Sequence, residues 1–110
     1  MNMNINLLKL INLLMLTICV GFTSYAASTT WTGSVSTDWN NPANWNNGVP
    51  DSTFDITIPN VTNDPTVPVT GAHVNQLDIQ NGGILNFASN ATLWVHGTLQ
   101  NTNFGTINLG

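Results

Sequence analysis

The side chains able to do chemistry in this 110-residue chain are few and unevenly spread. Trp94 and His96 stand two positions apart in an alternating segment, Leu93 to His96. If Leu93 and Val95 face a core, Trp94 and His96 share the outer face. An exposed indole there would suit a sugar ring or another partner, so these two are the candidate ligand-binding residues. Trp31, Trp39 and Trp45 fall within fifteen positions among turn-forming residues. They could form a stacking platform, but the reading adopted is a structural cap, with buried rings and N–H groups satisfied locally. Asp51, Asp55 and Asp64, with backbone carbonyls, are the one candidate set for Ca²⁺. They lack the D-x-D-x-D-G spacing of calcium loops, and no cofactor is expected. His73 and His96 without a clear third ligand do not make a metal site by sequence. They are expected on solvated loop and outer-face positions.

Catalysis is not expected. No G-x-S-x-G elbow is present, and no paired carboxylates of the kind that hydrolyse glycosides stand out. Lys9 is the one Lys or Arg, so 10–110 offers neither for the role of a basic proton acceptor. The same charge pattern, with five Asp and a formal charge of -4, argues against nucleic-acid partners, which need cations to displace phosphate counterions. Two sequons, Asn60-Val61-Thr62 and Asn90-Ala91-Thr92, are expected by chance in an Asn/Thr-rich chain.

The elements that must position these residues follow from the pattern. Lys9, an apolar run from Leu10 to Phe22 and small residues at Ser24 and Ala26 have the layout of a cleaved signal peptide over 1–26. The run is too short to span a bilayer, so no stable membrane span is expected after cleavage. Ile18 before Cys19 argues against lipidation. The protein is expected to be secreted or held at the cell surface. From 27 to 54 the sequence is irregular and Trp-rich, with turn signals at Asn41-Pro42 and Asn47-Gly48 and a short helical turn expected over Pro42–Trp45.

From 55 to 110, short alternating segments recur between Asn, Gly and Pro breaks: Ile56 to Ile58, Val74 to Ile79, Ile84 to Phe87, Leu93 to His96 and Ile107 to Leu109. Leu77, Leu85 and Leu93 step by eight, and Leu99 and Phe104 mark two further inward positions. Closely spaced short strands of one form predict an all-β solenoid, a parallel β-helix with about 20 residues per rung. Fewer than three rungs then fit, with an open β edge at the last one, so the chain is expected to be the truncated N-terminal piece of a longer protein and prone to self-association through that edge.

Residues 31–58 resemble the start of large secreted or surface proteins of Bacteroidota type. The matching positions are Trp31, Gly33, Asp38, Trp39, Asn44, Trp45, Gly48, Pro50, Asp55 and Ile58. Residues 74–110 are similar to the degenerate repeats that follow there, at Leu77, Ile79, Gly82, Gly83, Leu85, Leu93, Val95, Gly97 and Asn101. The resemblance implies a right-handed parallel β-helix on the cell surface or outside it, as in large adhesin-like proteins. The expected role is a non-enzymatic structural or adhesin-type module, with surface glycans or self-association through the open β edge as candidate partners. Two alternatives stay open: a small carbohydrate-binding module using exposed Trp, and the N-terminal segment of a polysaccharide-degrading enzyme.

Overall fold

The computed structural model describes residues 25–101 and 104–110. All but the last two positions of the expected signal peptide lie outside them. Among the described residues no helix is long and apolar enough to cross a membrane.

The protein is all-β. Among the described residues nine short strands follow one another: β1 (Ala27–Thr30), β2 (Phe54–Ile58), β3 (Thr66–Val67), β4 (Ala72–Val74), β5 (Gln76–Ile79), β6 (Ile84–Phe87), β7 (Leu93–Val95), β8 (Leu99–Asn101) and β9 (Thr106–Asn108). They form three sheets, ordered β1-β2-β5-β8, β3-β6-β9 and β4-β7. Every strand pairing within them is parallel. From β2 onward the chain visits the three sheets in rotation. Parallel neighbours need a long crossover, and here the crossover is made of strands of the other two sheets.

The register places like on like. Ile56 lies beside Leu77, which lies beside Leu99, and Ile58 beside Ile79. Leu85 lies beside Ile107, and Ala72 and Val74 lie beside Leu93 and Val95. Alternation sends these side chains to the inner face, the period of two expected of a strand. Ile56, Ile58, Val67, Val74, Leu77, Ile79 and Leu85 are buried together as one core. The eight-residue step of Leu77, Leu85 and Leu93 is therefore a step from sheet to sheet, whereas neighbours within a sheet from β2 onward are 20–22 positions apart.

Several expectations need correction. The segment Val74 to Ile79 is not one strand. Asn75 divides it, and its backbone N–H donates to the Phe54 carbonyl while its side-chain amide donates to Asp55 Oδ1. The chain turns a corner there, leaving one sheet for another. Three strands were not among the expected segments: β1, rich in small polar residues, β3, only Thr66–Val67, and β8, of which Leu99 alone stood out. The helical turn is shorter than expected, a 3₁₀ turn over Pro42–Asn44 that Asn41 caps by accepting from the Ala43 N–H. Leu99 and Phe104 are not buried. Leu99 continues the column of Leu77 but is 53% exposed, because among the described residues nothing lies beyond β8 to cover it. Phe104 sits at φ 73° and is 90% exposed.

Burial thus falls along each column towards β8 and β9: Leu85 is 0% exposed and Ile107 38%. Stability should follow the same gradient. Ile79→Ala, at a fully buried position, is expected to lower the unfolding free energy by about 2–5 kcal/mol. Leu109→Ala, at an exposed one, should change it by less than about 0.5 kcal/mol. Urea unfolding of the two variants against the parent protein checks this.

Candidate functional site

Two groups of aromatic side chains stand out, one buried and one exposed. The buried group is the indole cluster of the irregular segment. Trp45 meets Trp31 edge-on at 5.0 Å between ring centroids and Trp39 edge-on at 4.9 Å. All three are buried. Trp31 Nε1 donates to the Asn63 carbonyl at 2.6 Å, and Trp45 Nε1 donates to the Trp39 carbonyl at 2.8 Å. Their faces are spent on one another and on the core, so none of the three presents a platform to a ligand.

What holds this segment is Asn44, fully buried and four times bonded. Its Oδ1 accepts from the N–H groups of Val35 and Ser36, and its Nδ2 donates to Ser36 Oγ and the Asp38 carbonyl. Gly33 lets a second loop close in: at φ 58° it lies so near Asn63 that a Cβ would strike the Asn63 carbonyl. Asn63 Nδ2 in turn donates to the Gly33 carbonyl at 2.8 Å. The segment also covers strand edges. Thr37 accepts from the Thr66 N–H at the rim of β3, while β1 covers β2.

The exposed group lies on β4 and β7. Register sets His73 directly beside Trp94, and the two rings stack with centroids 4.4 Å apart and planes 10° from parallel. His96, one residue past β7, brings its ring to 5.4 Å from that of His73. His73 Nδ1 and His96 Nε2 are 3.1 Å apart, a hydrogen bond whose donor is set by the tautomers. Gly71 makes room for the indole, because a Cβ there would overlap the Trp94 ring. Trp94 nevertheless stays 45% exposed. Trp94 and His96 do share the outer face, and the structure adds His73. The signal for His73 was present as Ala-His-Val against Leu-Trp-Val, 21 positions apart.

The three Asp candidates are placed separately. Asp51 caps a turn, its Oδ1 accepting from the Thr53 hydroxyl and N–H, and these bonds hold its carboxyl below the usual range. Asp55 accepts from Asn75. Asp64 is half-buried with Oδ1 shut away from any donor, and desolvation raises its pKa. Among the described residues no three His, Cys, Asp or Glu side chains gather into a metal-holding group, and no pocket is present. Any recognition by these residues takes place on an open face.

A family model described as a domain of unknown function (DUF8693) matches residues 30–110, and the chain belongs to that family. No curated protein and no solved structure matches it significantly.

Two outcomes follow from these contacts. Asn44→Ala strips partners from Val35, Ser36 and Asp38 and should cost about 2–3 kcal/mol in urea unfolding. Asp64, whose folded-state pKa is raised, favours the fold while protonated and loses that contribution as pH rises through the raised value. Asp64→Asn should therefore raise the melting temperature at pH 7, with the gain shrinking in melts carried out towards pH 3.

Proposed function

We propose that this member of the DUF8693 family is a non-enzymatic structural module of the adhesin type: an N-terminal stretch of right-handed parallel β-helix, Trp-capped, working outside the cell or on its surface. The observation that carries this reading is the rotation of the chain through three parallel sheets, with like side chains in register every 20–22 residues from β2 onward. Each circuit then acts as one rung. Parallel crossovers of this kind are right-handed in nearly all proteins. The irregular segment suits the role of a cap, since β1 occupies the rim of β2 and Thr37 and Asp38 the rim of β3. At the other end β7, β8 and β9 each have a single partner strand among the described residues, and exposed Leu99, Ile107 and Leu109 lie with them. That edge is where self-association would occur.

The stacked, half-exposed Trp94 favours a second reading, a carbohydrate-binding surface. Aromatic faces of this kind suit the C–H faces of pyranose rings, and the open strip would take an extended glycan rather than enclose a small one.

Cell fractionation tests the first reading. Recovery of the protein in the medium or envelope fraction is expected, and recovery in the cytoplasm contradicts it. Retention on immobilised polysaccharides separates the two. The structural reading expects no retention that depends on Trp94. Retention that Trp94→Ala abolishes without lowering the melting temperature would establish the glycan surface instead.

A further inference from the structure

The two histidines that the register brings together have a consequence independent of either reading above. Neutral imidazole is a ligand for borderline divalent cations. His73 Nδ1 and His96 Nε2, on different strands of sequence, face each other at 3.1 Å. Two nitrogens that far apart, each bonded at about 2.0–2.1 Å to a common ion, subtend roughly 95–100° at it. That angle lies between adjacent positions of a square plane and those of a tetrahedron.

We propose that His73 and His96 form a chelating pair for a divalent cation of the Cu²⁺, Ni²⁺ or Zn²⁺ class on the outer face of β4 and β7. Each ring keeps one proton on its other nitrogen, His73 Nε2 and His96 Nδ1, so that both facing lone pairs bind the ion and no net proton is lost. Tautomer exchange through solvent supplies that arrangement, and water fills the remaining coordination positions. Hard ions such as Ca²⁺ and Mg²⁺ are excluded by the donor type, since they take oxygen ligands.

Three features of the molecule favour the site. Stacking on Trp94 fixes the plane of His73 before any ion arrives. Both histidines are exposed, so entry needs no opening of the fold. No Lys or Arg occurs in 10–110, so no such cation competes for the site or repels the ion. The pair also exists only in the folded chain. The two histidines are 23 positions apart in sequence, and an unfolded chain holds them together poorly.

Titration of the folded protein with Cu²⁺ alone tests this, followed by tryptophan fluorescence and by thermal melting. The ion would sit beside the one half-exposed indole, so partial quenching is expected, together with a rise in melting temperature because the ion binds the folded state. His73→Ala and His96→Ala should each weaken the apparent affinity roughly 10–100-fold, since a lost ligand costs no less than a lost outer-shell partner. Both should also abolish the thermal shift. Trp94→Phe should keep the shift while losing most of the quenching. Equal Cu²⁺ affinity in the parent and in the His73→Ala/His96→Ala double variant, with both folded by circular dichroism, would overturn the proposal. So would binding in the parent no tighter than in the single variants.

Discussion

Parallel register is the constraint on which the rest of this structure depends. Once Ile56 is placed beside Leu77 and Ile58 beside Ile79, the alternation of each strand decides which side chains enter the core. A slip of one position would turn every inward aliphatic outward and put Asp55, Thr57 and Asp78 inside. The chain has almost no charged side chains with which to offset such an error, so apolar stacking and backbone hydrogen bonds carry the specificity. The same register creates the outer face. His73 meets Trp94 for the reason that Val74 meets Val95: they are paired positions of β4 and β7.

Ends are the difficulty for an arrangement of this kind, because each outer strand leaves a row of backbone groups unpaired. At the N-terminal end the protein meets this with an irregular segment whose order comes from specific contacts rather than repetition. Trp45 wedges edge-on between Trp31 and Trp39, Asn44 supplies four internal hydrogen bonds, and Gly33 admits the loop at Asn63. The polar interior of that segment is fully engaged at Asn44, and this is why a buried amide is tolerable there. On the far side, β7, β8 and β9 each have one partner strand among the described residues: the aliphatic pattern persists and the burial does not.

Legibility in the sequence followed the same division. Segments such as Ile84 to Phe87 and Leu93 to Val95 announced themselves by alternation between turn residues, and the outward position of Trp94 and His96 followed from that alternation alone. What alternation could not show was the partner of each strand. His73 and Trp94 are brought together by a pairing 21 positions long, and nothing local to either residue indicates it. The corner at Asn75 was hidden because the apolar pattern runs through it, whereas the turn is fixed by contacts to Phe54 and Asp55. Strand β1 was hidden for the opposite reason: its residues are small and polar, and pairing with β2 rather than burial makes it a strand. Leu99 misled because pattern reports which face a residue occupies, and exposure depends on what lies over that face.

Everything above rests on strands that pair in parallel, at these registers. Nuclear Overhauser measurements on the isotopically labelled, folded protein address it most directly. Methyl contacts linking Ile56 to Leu77 and Ile58 to Ile79 are expected, with amide-to-α-proton contacts of the parallel type between β2 and β5. Short α-proton to α-proton contacts between those strands, the mark of antiparallel pairing, or contacts shifted by one residue, would contradict it.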